Sequence, residues 1–345
     1  MHICLITSRL GTRRCGVGDY TVRLAETFKL MNHRVTILSD LPSWGLIGML
    51  RLWRELNRIK PDLVILQWVP FLYHRFGVNF WIPLCFFALR CRGYRLQIMV
   101  HEMWVPYTRA QYFVTGPLQR LSLLLLIVIC HKTSVSIEAW TKQLRKLVPW
   151  KKAKIHWVPV GSTVPVAAQA TRRDGSGILL VSINPMGSGK GPELLQKVWE
   201  RIRQEPNLRL LVIGLTQDDA KKFFPALAED KNCIFTGFLG HQELSAYLQG
   251  AAMLLAPFVD GVTGRRTSIM AGLEHGVPAI TTRGFLMDEV FEKSPLVICR
   301  YDVDEFSAAV LELLRDPVRR QAMASASKAF YDQHFSWDRI ANSLL

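Results

Sequence analysis

Strand-like and helix-like segments alternate along this chain, and the alternation runs through twice. The first series of short apolar segments lies at residues 2–7, 34–38, 63–67, 96–101, 133–136 and 155–158. The second lies at 178–183, 208–213, 233–235, 253–256, 279–281 and 296–298. Each segment is apolar on both faces and partly β-branched, the pattern of parallel strands covered from both sides. Helical patterns separate them, most clearly at 19–31, where Tyr20, Leu24, Phe28 and Met31 form one stripe. Between the two series, residues 161–177 (GSTVPVAAQATRRDGSG) have the composition of a linker. Two such halves predict an α/β protein of two Rossmann-like, doubly wound parallel-sheet domains facing each other across a cleft. The expected boundaries are 1–162 and 177–332, with 333–345 a C-terminal helix that can cross back to the first domain. At 345 residues the chain is also too long for one ordinary core.

Composition narrows the partners. Seven cysteines, an odd number with no CxxC pair, argue against a disulfide framework and a zinc site and for a reducing compartment. The first residues, MHICLITSRLG, read as a strand and lack the basic start and cleavage site of a signal peptide. No run is expected to reach the roughly 18–20 apolar residues that cross a bilayer. Residues 78–89 and 121–130 come nearest, and read as buried helices or as surfaces that dip into an interface.

Residues 1–165 hold 23 Lys and Arg against 7 Asp and Glu, whereas residues 166–345 hold 20 against 21. That asymmetry calls for an anionic partner of the first half. No helix-turn-helix, zinc finger or aromatic RNA-binding sheet is present, so nucleic acid is not expected. The basic residues are instead interleaved with large apolar ones: Trp53 between Arg51 and Arg54, Trp81 and Phe86-Phe87 near Arg90, and Trp150 before Lys151. This mixture suits an anionic membrane surface, which places the chain at the inner face of a membrane in the cytoplasm.

Ligands of open α/β sheets bind beyond the carboxyl ends of the strands, so the loops there carry the candidate chemistry. After the first strand, Cys15-Gly16-Val17-Gly18 precedes a helix. Gly16 and Gly18 would let a ligand approach the backbone, although Thr21 replaces the third glycine of the dinucleotide fingerprint. His101 ends a strand and could hydrogen-bond a substrate hydroxyl; the same position also suits a structural histidine. The loop Asn184-Pro185-Met186-Gly187-Ser188-Gly189-Lys190-Gly191 offers one lysine to a phosphate but is not a P-loop. Asn184 stands at the position of its first glycine and Gly191 at that of its magnesium-binding hydroxyl. Residues 257–282 (PFVDGVTGRRTSIMAGLEHGVPAITT) join a strand, a turn bearing Arg265 and Arg266, and a helix entered through Thr267 and Ser268. Arginine forks, hydroxyls and helix-start N–H groups together can hold a phosphorylated ligand. A solvated βαβ turn would show the same residues. Asp302 and Asp304 read as surface or capping residues, and Trp337 as packing a terminal helix.

Taken in order, five segments carry a resemblance: CGVGDYTVRLAETFKLMNHRVTIL (15–38), QIMVHEMW (97–104), SINPMGSGKGPELL (182–195), LLAPFVDGVTGRRTSIMAGLEHGVPAITT (254–282) and the ending at 311–341. The chain resembles the retaining nucleotide-sugar glycosyltransferases of family 4, of GT-B fold, over nearly its whole length. The resemblance implies that Gly16 and Gly18 lie over the sugar and diphosphate and that His101 contacts the donor sugar. It also implies that Lys190, with the 265–268 turn, neutralises the departing nucleoside diphosphate. Asn184 falls in the donor loop. Neither metal nor cofactor is implied, the nucleotide-sugar being a substrate, and transfer would retain anomeric configuration onto a saccharide or lipid-linked acceptor, such as a precursor of a cell-surface polysaccharide. Two departures stand out. The arginine usual before the loop lysine is missing, and the Glu-x7-Glu pair is replaced by Thr263 and Ala271 in the register set by Gly276-Val277-Pro278. Glu274, one turn beyond Ala271, is the candidate substitute for the ribose-holding carboxylate. The contrasting expectation is a non-catalytic GT-B scaffold or partner subunit with a decayed donor site.

Overall fold

The computed structural model describes residues 1–10, 16–106, 108–168, 177–187 and 189–345. The first series of elements is β1 (His2–Ile6), α1 (Gly16–Leu30), β2 (Arg34–Leu38), α2 (Leu46–Ile59), β3 (Leu63–Trp68), α3 (Pro70–Tyr73), α4 (Trp81–Cys91), β4 (Leu96–Val100), α5 (Tyr112–Ile129), β5 (Lys132–Val135), α6 (Glu138–Leu147) and β6 (Ile155–Trp157). The second is β7 (Ile178–Ile183), α7 (Pro192–Ile202), β8 (Leu208–Ile213), α8 (Gln217–Phe223), α9 (Pro225–Ala228), β9 (Cys233–Phe235), α10 (His241–Gly250), β10 (Met253–Ala256), α11 (Thr267–Glu274), β11 (Ala279–Thr282), β12 (Val297–Cys299), α12 (Val303–Arg315) and α13 (Pro317–His334), and α14 (Trp337–Leu344) ends the chain.

All twelve expected strands form, within a residue or so of the expected ends, and every pairing between them is parallel. The order is β2-β1-β3-β4-β5-β6 in one sheet and β12-β11-β10-β7-β8-β9 in the other. The second is the doubly wound order, in which the chain reverses its direction of travel between β7 and β10. The loops that follow those two neighbours therefore leave the sheet at its switch point, where they meet each other. Alternation along each strand sorts the core. Cys4 and Ile6, Val64 and Leu66, and Ile98 and Val100 pack with α2, α4 and α5 on one face of the first sheet. Tyr20, Leu24 and Phe28 of α1 are buried too, with α1 lying against β2 and α14.

The chain divides into two compact units, Met1–Pro159 with Trp337–Leu345, and Val160–Ser336. The described half of the expected linker is not one. The Val160 N–H donates to Gly264 O (2.7 Å), the Ser162 N–H to the Tyr331 hydroxyl (3.1 Å) and the Ala167 N–H to Ser245 Oγ (2.8 Å). A Gly/Ser/Ala-rich composition reports weak local preference, and here neighbouring side chains satisfy its backbone. Residues 169–176 of that stretch lie outside the described residues. At the other boundary, Phe335 stacks on Phe291 at 5.5 Å within the second unit, while Trp337 packs on Tyr20 at 5.2 Å within the first. Asp302 caps α12 by accepting from the Glu305 N–H, and the exposed Asp304 pairs with Arg201.

One expectation needs correcting. α5 has 18 residues and by length and composition is apolar enough to cross a membrane, so one run does reach the spanning range. The expected apolar stretch began only at Leu121, whereas the helix starts nine residues earlier because Phe113, Val114 and Leu118 extend it across Pro117. Its buried side carries Gln119 and Ser122, whose hydrogen bonds to Phe76 O (2.9 Å) and Asn79 O (2.6 Å) tie it into the first unit.

Candidate functional site

In the second unit, the loops that follow β7 and β10 are zipped together at the topological switch point. Lys190 bridges Phe258 in antiparallel fashion, the Val259 N–H donates to Gly189 O (3.0 Å), and the Gly191 N–H donates to Pro257 O (3.0 Å). The loop makes its turn with Asn184, Gly187 and Gly189 at φ of +44°, +121° and +71°. Gly189 is constrained twice, since a Cβ there would stand 2.3 Å from Asp260 Oδ2 and 2.4 Å from Arg266 Nη2. At Gly191 a Cβ would meet Tyr301 Cε2 at 2.6 Å, which leaves no room for the hydroxyl a P-loop would place there.

Around the fully buried ring of Phe258 gather the charges. Lys190 Nζ lies 4.8 Å from the ring centroid and donates to Ser268 Oγ (3.3 Å). The Arg266 guanidinium stands 4.4 Å from the same centroid and donates to Gly189 O (3.3 Å). It also pairs with Asp260, and both members are buried. Burial, with Arg266 and Arg265 nearby, pulls the Lys190 ammonium down to about 7, Asp260 opposing. Burial likewise lowers Arg266 to about 10, with Asp260 the main opposing influence. Lys190 and Arg266 face the Asp260 carboxylate over an apolar floor, with the Arg265 charge nearby, an arrangement that attracts an anion. Thr267 and Ser268 open α11 beside them.

Lys190, Arg266 and Ser268 are thus brought together, Arg265 acting on Lys190 through its charge. Glu274 is not part of the cluster. It ends α11, six residues beyond Ser268 and so about 9 Å away along the helix. At the two positions of the absent Glu pair, Thr263 is fully buried, with an Oγ1 that has no hydrogen-bond partner among the described residues, and Ala271 is 2% exposed.

In the first unit, His101 follows β4 and is buried at 5% exposure. Its Nε2 lies 2.8 Å from Gln67 Oε1, and its ring meets the edge of Tyr20 at 4.8 Å. Tyr20 comes from α1, whose first turn holds Gly16 and the buried Gly18. His101 and the glycine turn therefore share one end of the first sheet. A Cβ at Gly16 would meet nothing within 4 Å, so that position is open to an approaching molecule. Cys15 lies outside the described residues.

Asp260, Phe258 and Gln67 escaped sequence reasoning. Asp260 had a readable signal, an acid six residues ahead of Arg266 in a loop otherwise cationic. Nothing local marked Gln67, which is distinguished only by the neighbouring strand that carries His101.

Comparison with known proteins bears on this site. The family model for glycosyl transferases group 1 matches residues 177–316, the segment that contains Asn184, Lys190, the 265–268 turn and Glu274. That match spans less than half of the chain, and the two doubly wound six-stranded sheets have the architecture of the GT-B fold. Among particular proteins, the chain is 29% identical over 162 residues to the GDP-mannose-dependent monoacylated alpha-(1-6)-phosphatidylinositol monomannoside mannosyltransferase of Corynebacterium glutamicum. That match covers 45% of this chain and 42% of the relative, so the chain spans less than half the length of this curated protein. In structure it is similar to the catalytic domain of starch synthase IV from Arabidopsis thaliana (TM-score 0.72, 8% identity, 99% of this chain and 97% of that one). It is also similar to sucrose-phosphate synthase from Thermosynechococcus elongatus (TM-score 0.70, 14% identity, again 99% and 97%). At those identities the likeness is one of fold.

Proposed function

We propose that the protein is a retaining, metal-independent glycosyltransferase of family 4 that moves a hexose or related sugar from a nucleotide-sugar donor to a saccharide or lipid-linked acceptor. The observation that carries this reading is the Lys190–Arg265–Arg266 cluster, set at the switch point of the sheet in the segment matched by the family model. Fold alone would not suffice, because one fold hosts many reactions.

In this mechanism the donor diphosphate docks over Phe258, beside Lys190, the two arginines and the first turn of α11. The bond from the anomeric carbon to the diphosphate oxygen breaks as one forms to the acceptor hydroxyl oxygen, whose proton leaves with the diphosphate, and negative charge accumulates on the leaving group. Cations already in place stabilise that charge without reorganisation. Burial and its arginine neighbours pull Lys190 down to about 7, and an approaching anion favours its charged form, so its charge is strengthened where the leaving group departs. Asp260 keeps Arg266 aimed into the loop. His101, fixed in orientation by Gln67 and Tyr20, would hydrogen-bond the donor sugar, and Gly16 with Gly18 would admit it close to the backbone. Glu274 would take the ribose only if the nucleoside extends along α11 to its far end.

The basic first unit would hold the acceptor at an anionic membrane surface on the cytoplasmic side. The relative's name gives it a phosphatidylinositol mannoside to act on, which supports a lipid-borne acceptor here. A second reading, a non-catalytic GT-B partner subunit, is favoured by Thr263 and Ala271, which put no carboxylate where the family has two.

Calorimetric titration decides between them. GDP, UDP, ADP and their hexose conjugates are titrated into the wild-type chain and into Lys190→Ala. Saturable binding of at least one, weakened tenfold or more by the substitution, supports the enzyme. No binding by any of them leaves the scaffold.

A further inference from the structure

The helices α4 and α5 lie side by side over the first sheet, and their register is set by contacts along their length. The Ser122 hydroxyl donates to Asn79 O (2.6 Å) just before α4 begins, and Arg90 near its end donates to Ile129 O (2.9 Å) at the end of α5. Their outward sides are apolar. On α5, Val114, Leu118, Leu121, Leu125 and Val128 recur at spacings of three and four and are all exposed, forming one continuous stripe. On α4, Trp81, Leu84 and Phe87 do the same, with Leu84 59% and Phe87 56% exposed. The two helices pack against each other, and exposed apolar stripes on both mark an interaction face.

The charges around this face are nearly all of one sign. From residue 63 to residue 137 the chain carries seven Arg and Lys and a single acid, Glu102. Several of these arginines sit on aromatic rings: Arg75 on Phe76 (4.5 Å), Arg109 on Tyr112 (5.9 Å) and Arg120 on Trp104 (5.3 Å). Such pairs are amphipathic, with an apolar body and a cationic tip. A second copy of the chain is a poor occupant, because two-fold pairing would bring this basic rim against itself. An anionic lipid leaflet meets both features at once, offering hydrocarbon to the stripe and phosphate to the rim.

We propose that the outer face of α4 and α5 docks the chain onto an anionic lipid leaflet. The apolar stripe enters the boundary between headgroups and acyl chains, and the arginines engage lipid phosphates. Neither helix crosses the leaflet, since the inner sides of both are committed to the core of the first unit. The proposal deepens the membrane part of the function proposed above and does not depend on glycosyl transfer.

The test is co-sedimentation of the full chain with phosphatidylcholine vesicles, with and without phosphatidylglycerol. The wild-type chain is expected to bind the vesicles that contain phosphatidylglycerol and to be released by high salt. Leu84→Glu/Leu121→Glu, both at exposed positions, should lower the partition coefficient by about tenfold or more, from lost apolar burial alone. Arg75→Gln/Arg109→Gln should lower it about fivefold per arginine, the equivalent of ~1 kcal/mol each. As a readout that needs no doubly substituted chain, brominated lipid should quench the tryptophan fluorescence of the wild type more than that of Trp81→Phe. The proposal is overturned if the wild-type chain ignores these vesicles, or if Leu84→Glu/Leu121→Glu sediments as the wild type does. It is equally overturned if that variant abolishes self-association of a chain that does not bind lipid, which would make the face a dimer interface. Nucleoside diphosphate binding, measured by calorimetry on the same samples, reports the transferase reading separately and should be equal in wild type and Leu84→Glu/Leu121→Glu.

Discussion

Replacing Asp260 by Asn removes the carboxylate paired with Arg266 while keeping its shape. Asp260 and Arg266 are 8% and 6% exposed, so solvent cannot take over the role of the lost charge. Breaking a buried ion pair from one side costs about 3–5 kcal/mol, and the neutral hydrogen bond that asparagine can keep with Arg266 returns about 1 kcal/mol. The net loss is about 3 kcal/mol. For a unit the size of Val160–Ser336, each kcal/mol lowers the melting temperature by about 2–4 °C, which gives a fall of about 9 °C in scanning calorimetry. The same change makes the empty site more cationic. A saturating nucleoside diphosphate should therefore raise the melting temperature of Asp260→Asn by more than it raises that of the wild type, because the ligand now also partners Arg266. Melting within about 2 °C of the wild type would show that Asp260 does not hold Arg266. An equal ligand shift in both proteins would show that the anion binds elsewhere.

Three further outcomes are expected. Lys190 has a pKa near 7 when folded against an ordinary value of 10.5, so between those values the unfolded chain binds more protons and stability rises with pH. Lys190→Met should flatten that rise, measured as the difference in unfolding free energy between variant and wild type across pH 7 to 10. Gly189→Ala forces a side chain into left-handed backbone and against the Asp260–Arg266 pair, costing about 2 kcal/mol or more, and should weaken diphosphate binding at least tenfold by calorimetry. Trp337→Ala empties the contact with Tyr20 and should destabilise the first unit by about 3–5 kcal/mol in chemical denaturation, leaving nucleotide affinity unchanged.

What the sequence by itself determined is the series of elements. Strands buried on both faces must be largely apolar, so central ones such as His2–Ile6 and Leu208–Ile213 were legible from runs of a few residues, and the less buried edge strands, such as Arg34–Leu38, from the alternation around them. The doubled alternation then carried the two-domain α/β architecture, and the glycines near Lys190 marked a loop that bends where side chains would collide. All of these are local properties, encoded within one or two turns of chain. The tertiary structure decided what those elements do to one another. Arg265 and Arg266 read as an equivalent pair, yet it is Arg266 that is folded against Phe258 and Asp260. Gln67 reaches His101 only because β3 and β4 are neighbours in the sheet. Residues 161–168 looked like linker because composition cannot reveal that Tyr331 and Ser245 wait to bond their backbone. Charge balance announced a basic first half, but only the packing of α4 against α5 turned scattered apolar residues into one face. Burial, pKa and exposure depend on which distant side chains share a volume, and that is fixed by the fold as a whole.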